Sequence, residues 1–523
     1  MKKLIPVFVL LLFAVNSIAQ KSPVVVTHNE KVIGKNPITN TDIKVFEHIF
    51  PERIYDFYLD TLSGLLNIQL RGVTKNGKYL KNTGSVVQYD LKDRRAIWDK
   101  QFSFQTNQLQ LYNNTIIETS ANKSYCLDIN TGTDLWEVKN NIYFVDPIVK
   151  IGVGYKYKTL EGYTNTLEGI NLDNGEVIWK RELNREYGWN NIRYLNDSIV
   201  LVISSGLNTI NIKNGLGWEY KLVTGEKDYT TTAIANTAGV ALGLLTGTFV
   251  ISTGHDVVRD IVSNVIEDST DLYIASKEKI SKVDKTNGTE IWSTILPKGM
   301  PSKSSIFMND SLIFMINYAY AYMGNKLLDY GKPFIAAFNK ENGKQKYLSI
   351  IVTEKDPILG YHLKQDTLYL LFNERVSKYS LIDGGRLVEK TFNAKEFGSL
   401  KNFIGRQVFT LKNDSTFSRL PLVDSTKCYI YSSKNKVYAL DYNLNITETI
   451  AIDDLYINYL SSNGLKFLSK ESKTIIIDSL NNKIAELPIS SNAFIIGDKL
   501  YDIQEKSFFE INLKDITELN NVP

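Results

Sequence analysis

The stretch Cys126-Leu127-Asp128-Ile129-Asn130-Thr131-Gly132-Thr133-Asp134-Leu135-Trp136 decides the fold, because it recurs. Its pattern is an acid or amide, a Gly four positions on and a Trp eight positions on. The same register returns at Asn171, Gly175 and Trp179, at Asp284, Gly288 and Trp292, and with a Tyr at Asn339, Gly343 and Tyr347. Weaker copies start at Asp90 (with Trp98), Asn211 (with Gly215 and Trp218), Ser380 (with Gly384), Asp441, Asp478 and Asn512, making ten registers. A second anchor, a polar turn opening an apolar strand, stands 14 positions upstream of four of them: Asn114-Thr115-Ile116, Asp197-Ser198-Ile199, Asp366-Thr367-Leu368 and Asp498-Lys499-Leu500.

Working outward, runs such as Ser198-Ile199-Val200-Leu201-Val202-Ile203, with 30 Tyr and 23 Phe in the chain, have strand composition. The class is all-β. The Asn or Asp plus Gly supplies a turn with positive φ, and the Trp belongs to the strand that follows. A single meander sheet cannot bury both of its faces. Copies must stack radially, which makes a single β-propeller of four-stranded antiparallel blades with the Trp side chains between blades.

The core from Leu127-Asp128 through Gly132 to Trp136 resembles the Ala-Leu-Asp-x-x-Thr-Gly-x-x-x-Trp unit of the pyrroloquinoline-quinone-type (quinoprotein-like) propeller repeats. That resemblance implies eight blades, whereas the registers admit seven to ten. It spans roughly 51–519, after a lead-in segment at 20–50. Enzymes of this family use an adjacent cysteine pair, a metal-binding carboxylate cluster and a catalytic Asp. Cys126 and Cys428 are not adjacent, and they read either as one bridge or, the leading reading, as two buried small apolar side chains. No catalytic, cofactor-binding or metal-ligating residue is therefore assigned, and no cofactor is expected. The chain is expected not to be an enzyme.

Lys2 and Lys3, the apolar run Leu4 to Val15 and Ser17-Ile18-Ala19 read as a secretory signal over 1–19, leaving Gln20 first in an exported protein. No cysteine follows the cleavage site, which argues against a lipid anchor. Sixty basic and 57 acidic residues are spread evenly, giving +3 and no basic tract, so nucleic acid is not an expected partner. His28, His48, His255 and His362 lack metal-ligand spacing and read as ordinary surface or loop histidines.

Two interruptions break the blade period. At 226–267, Ala235, Gly239, Gly243 and Gly247 recur every four residues, and Val257, Val258, Ile261, Val262, Val265 and Ile266 follow at helical spacing, so a helical hairpin is expected. Tyr229 to Gly254 contains no Asp, Glu, Lys or Arg, so contact with a membrane or a partner through 230–267 is one expectation, and packing on the propeller the other. At 317–333, Tyr318, Tyr320 and Tyr322 form either a recognition loop or an alternating strand with one buried face. Several Asp-Ser/Thr-apolar triplets, including Asp60-Thr61-Leu62 and Asp310-Ser311-Leu312, match an O-glycan acceptor pattern of some exported bacterial proteins; strand-opening turns explain them equally. The leading functional reading is a non-catalytic propeller that displays loops to an envelope protein, in the periplasm or at the outer envelope. In fold it resembles the propeller subunit of the β-barrel assembly machinery. The rival reading is a ligand-binding or enzymatic propeller, quinone-dependent or glycan-directed, with its site at the propeller axis.

Overall fold

Each register residue ends the third strand of one sheet, and this sets the architecture. In the computed structural model the Asp128 carboxylate accepts the Asn130 and Thr131 amides at 2.7 and 3.2 Å, and the Asn171 side chain accepts the Asp173 amide at 2.8 Å. These Asx turns spare the backbone an unpaired donor where it reverses. The register glycine completes the reversal with φ of +71° at Gly132 and +75° at Gly175, a conformation that costs other residues about 1–2 kcal/mol. The fourth strand then runs back with a one-residue slip before Trp136, which stands opposite Cys126.

The structure describes residues 23–517 except 37–38, 113–114, 121, 159–161, 228–256, 259–260, 299–302, 324–325, 353–355, 406–407, 412–415, 421–426 and 471–472. Among the described residues ten antiparallel sheets form the ring of a β-propeller, beside two short α-helices, Ala394–Phe397 and Lys514–Thr517. Blades 1 to 9 span 54–103, 108–138, 140–182, 191–221, 266–295, 304–350, 360–391, 400–451 and 455–487. Blade 10 takes three strands from 494–512, and its fourth is Asp42–Ile49 from the other end of the chain, paired antiparallel with Ser507–Asn512. Thr27–Lys35 adds a fifth strand outside it.

The eight blades implied by family resemblance are thus corrected to ten, one per register. The weak copies at Asp441, Asp478 and Asn512 are true blades that keep the turn and have lost the Trp. A second correction concerns the described part of the 226–267 interruption. Glu226–Lys227 pairs with Val257–Val258, Val262 and Ser263 make isolated bridges, and Ile266–Glu267 is the first strand of blade 5. β-Branched residues favour extended backbone, and with Val262 buried between blades 4 and 5 and Val258 and Ile261 buried on the blade 6 connection, packing overrides a helical spacing carried by so few positions. Ala235, Gly239, Gly243, Gly247 and His255, and the 1–19 signal, lie outside the described residues.

Adjacent blades are fastened by a repeated dock. The indole N–H of Trp98 donates to the Ile129 carbonyl (2.6 Å), that of Trp136 to Leu172 (2.8 Å), that of Trp179 to Ile212 (2.7 Å), that of Trp218 to Lys285 (3.1 Å) and that of Trp292 to Lys340 (3.2 Å). The Tyr347 hydroxyl makes the equivalent bond to Leu381 at 3.1 Å. Every acceptor follows a register residue of the next blade by one position. The register glycine of that blade lies on the ring: a Cβ at Gly132 or Gly175 would come within 3.0 Å of Trp98 or Trp136. Gly at this position is therefore required twice, by backbone conformation and by close approach.

Candidate functional site

Strand topology sorts the connections onto two faces. In blades 1 to 9 the first-to-second and third-to-fourth turns emerge at one end of the sheet. The second-to-third turns and the links between blades emerge at the other. Both interruptions belong to the second set. The link from blade 4 to blade 5 leaves through Glu226–Lys227 and returns through Val257–Val258, while 317–333 connects the second and third strands of blade 6. They meet: Val258 and Ile261 of the link are buried against Ala321 and Met323 of blade 6, with Leu328 and Tyr330 beside them.

The tyrosine tract is an alternating strand. Tyr320–Met323 pairs with Lys326–Asp329 as a hairpin, and Ala319 and Ala321 are buried on its inner side. Tyr318, Tyr320 and Tyr322 consequently line up on the other side, with successive ring centroids 5.7 Å apart. Tyr318 is half-buried, its hydroxyl 2.8 Å from Ser305, and burial pushes its pKa up. Tyr322, at 38% exposure, is the outermost of the three, with the Lys303 ammonium 5.8 Å from its ring.

Lys303 also borders a cavity of about 410 Å³ beside the starts of the first strands of blades 4, 6 and 7 and the link that leads into blade 5. Asn190, Asn191, Asn264, Ser304 and Tyr361 line it with Lys303, and none of the described lining residues is acidic. Asn264 clamps blade 5 to blade 6, donating to the Ile306 carbonyl at 2.9 Å and accepting its amide at 2.8 Å. Asn190 donates to the Thr224 carbonyl at 3.1 Å, and its buried Oδ1 has no partner among the described residues. This wall offers amide, hydroxyl and one cationic group beside an aromatic ring. That set suits recognition of a polar, hydroxyl-rich or anionic group and supplies no carboxylate pair for acid–base work.

The repeat residues Asp128, Gly132, Trp136, Asn171, Gly175, Trp179, Asp284, Gly288 and Trp292 all act in turns and docks, away from this face. Cys126 and Cys428 are buried free thiols in blades 2 and 8, and burial raises them to about 11 and about 12, which keeps them protonated. Among the described residues no group of three or more His, Cys, Asp or Glu side chains converges on a common point.

Two of the four histidines do come together, which their spacing in sequence conceals. His48 is fully buried at the ring closure; the Tyr89 hydroxyl lies 2.8 Å from its Nδ1 and 2.7 Å from His28 Nε2, and Glu510 is 3.8 Å from its Nε2. Phe46, opposite Glu510, stands where a Trp stands in other blades, and Arg94, with φ of +56° in place of the register glycine, lies 3.4 Å over its ring. The seam of the ring is closed by a histidine, tyrosine and arginine cluster.

A ring of four-stranded blades is a β-propeller, and the register these blades carry is similar to that of the pyrroloquinoline-quinone-type repeats. Residues 70–294, from blade 1 to the end of blade 5, match the family model described as outer membrane protein assembly factor BamB. Among solved structures, BamB from Moraxella catarrhalis is similar at 12% identity over 73% of this chain and 96% of that one, with a TM-score of 0.30. A eukaryotic initiation factor is similar at 8% over 83% and 97% (TM-score 0.34), and the computationally designed Ika8 protein at 10% over 76% and 96% (TM-score 0.28). No curated protein matches the chain. Among the described residues no helix is long and apolar enough to cross a membrane.

Proposed function

We propose that this protein is a non-catalytic, exported propeller that holds a protein partner in the cell envelope, periplasmic or at the outer membrane, through the face built by the two interruptions. One observation carries the reading. Connections from two separate places in the ring pack against each other into a single platform, with three tyrosines in a row along its outer side. Irregular connections on a rigid scaffold are where binding residues concentrate, and tyrosines give large contacts at low entropic cost. The description of the matched family model, an outer membrane protein assembly factor, supports an envelope setting.

The test places a photo-crosslinking residue at Tyr322 or, on the opposite face, at Leu216, in the native envelope. Partner adducts at Tyr322 and none at Leu216 are expected, with loss of the partner when 320–329 is replaced by a two-residue turn; adducts at Leu216 alone contradict the proposal. If the 228–256 segment contributes membrane or partner contact, removing it should lower association without unfolding the ring. The deletion must stop short of Ile261, which belongs to the packed platform.

The cavity beside Lys303 favours a second reading, a receptor for a hydroxyl-rich ligand such as a glycan. Thermal stabilisation by envelope glycans that disappears in Lys303→Ala supports it.

A further inference from the structure

The Asp-Ser/Thr-apolar triplets are not equivalent once folded. In Asp366-Thr367-Leu368 the leucine is buried at 1% exposure, and Leu312 of Asp310-Ser311-Leu312 packs against the core of blades 6 and 7. Ile199 of Asp197-Ser198-Ile199 is paired within its sheet. Folding alone accounts for an apolar residue at these positions.

Two triplets differ. In Asp60-Thr61-Leu62 the leucine is 92% exposed, and in Asp478-Ser479-Leu480 it is 76% exposed. Both lie in tight turns, where a polar residue serves the fold as well. The hydroxyl residues Thr61 and Ser479 are themselves exposed. The aspartates, by contrast, point into the turns. Asp60 accepts the Leu62 amide at 3.0 Å and the Ser63 hydroxyl at 2.6 Å, while Asp478 accepts the Asn482 amide at 2.8 Å and its side-chain nitrogen at 3.1 Å. Each turn is pinned by its aspartate and presents a hydroxyl beside a leucine that touches little of its own protein. Single exposed apolar side chains are ordinary on a protein surface, but these two stand directly beside an exposed hydroxyl in the acceptor order, where a modifying enzyme reaches both at once.

We infer that Thr61 and Ser479 are O-glycosylation sites, recognised through Leu62 and Leu480. In the transfer, the side-chain oxygen attacks the anomeric carbon of a sugar activated as a diphosphate ester. The new bond is carbon to side-chain oxygen, the bond from that carbon to the phosphate oxygen breaks, the diphosphate leaves with the electron pair, and the hydroxyl proton passes to the base of the transferase. Thr61 joins the first and second strands of blade 1 and Ser479 the third and fourth of blade 9, so both sit on the turn face. Sugars there leave the opposite, tyrosine-bearing face clear.

The full-length protein, purified from its own cells, is digested and its peptides weighed before and after mild alkaline β-elimination. Peptides containing Thr61 and Ser479 should carry sugar mass that β-elimination removes, and those with Ser311 and Thr367 should not. Leu62→Ser and Leu480→Ser should each abolish the mass on the neighbouring hydroxyl with an unchanged melting temperature. Unmodified mass at Thr61 or Ser479 overturns the assignment, as does equal modification at Ser311 and Thr367.

Discussion

Blades 1 to 7 and blades 8 to 10 solve one packing problem in two ways. Radial sheets diverge outward, so each junction leaves a wedge near the outer strands and a turn carbonyl to satisfy. Six consecutive junctions, from blade 1 to blade 7, fill both needs with one aromatic side chain whose polar edge donates to the next turn. The remaining junctions are individual. At blade 7 the Trp position is Val388, 39% exposed, and the turn carbonyl of Tyr442 instead accepts Lys378 at 3.0 Å and Tyr369 at 3.3 Å. Between blades 8 and 9, Val408, Phe409 and Phe417 come from an added hairpin paired with the first strand of blade 9. Blades 9 and 10 share a large apolar cluster, and blade 10 meets blade 1 at the histidine seam.

The turns explain why the dock stops. In blade 2 the Asp128 amide donates to the Thr133 carbonyl, spanning five residues; in blades 8 and 9 Asp441 and Asp478 donate to Asn445 and Asn482, spanning four. The shortened turn has Leu444 or Asn481 at φ of +67° and no glycine on which a ring could lie. The family match ends at residue 294, just past the last docked Trp. A repeated dock is legible to a sequence pattern, and a one-off junction is not.

The largest test of this contrast is truncation of the aromatic. Trp179→Ala should cost about 3–5 kcal/mol in equilibrium denaturation, because a buried ring and its hydrogen bond go together. Val388→Ala, the matching change in blade 7, should cost under about 0.5 kcal/mol; similar losses would erase the distinction. Next in size, Gly215→Ala should lose about 1–3 kcal/mol, since its φ is +74° and a Cβ would press on the Trp179 ring. A melting temperature equal to that of the parent would show that the ring does not need that close approach.

Transplanting the dock to the seam sharpens the comparison further. Phe46→Trp combined with Arg94→Gly should place an indole on a glycine and gain about 0.5–1 kcal/mol, the net value of one added hydrogen bond. A loss would show that the histidine cluster depends on Arg94. The smallest effect is in pH. Burial, with His48 and Arg94 nearby, lowers the His28 pKa below its ordinary 6.5. The unfolded chain therefore binds the proton first, and stability present above pH 6.5 falls as pH drops through the folded value. Melting between pH 7 and 5 should show this decline, and His28→Gln should flatten it.

Much of this was readable in the chain. Each of the ten registers marks one blade, and the glycine and Trp positions predict the turn and the interblade ring. Eight blades came from the family resemblance and not from the registers, whose count of ten already included Asp441, Asp478 and Asn512; blades 8 to 10 keep the Asx turn but lack the register glycine and the Trp. Helical spacing over Val257 to Ile266 misled because β-branched residues suit extended pairing as well, and here Val258, Ile261 and Val262 are buried from an extended backbone. The candidate site was half legible. Alternation of Ala319 and Ala321 with the tyrosines predicts one buried side, but Val258 and Ile261 beneath the hairpin come from 60 residues away. The His28, His48, Tyr89 and Glu510 cluster unites both chain ends, and no local signal announces it.

Native-state hydrogen exchange read by mass spectrometry tests the central contrast most directly. Peptides from the third and fourth strands of blades 1 to 6 should be the last to exchange, with blades 8 to 10, including the closing strand Asp42–Ile49, opening earlier. Slower exchange in blades 8 to 10 than in the docked blades would contradict the account.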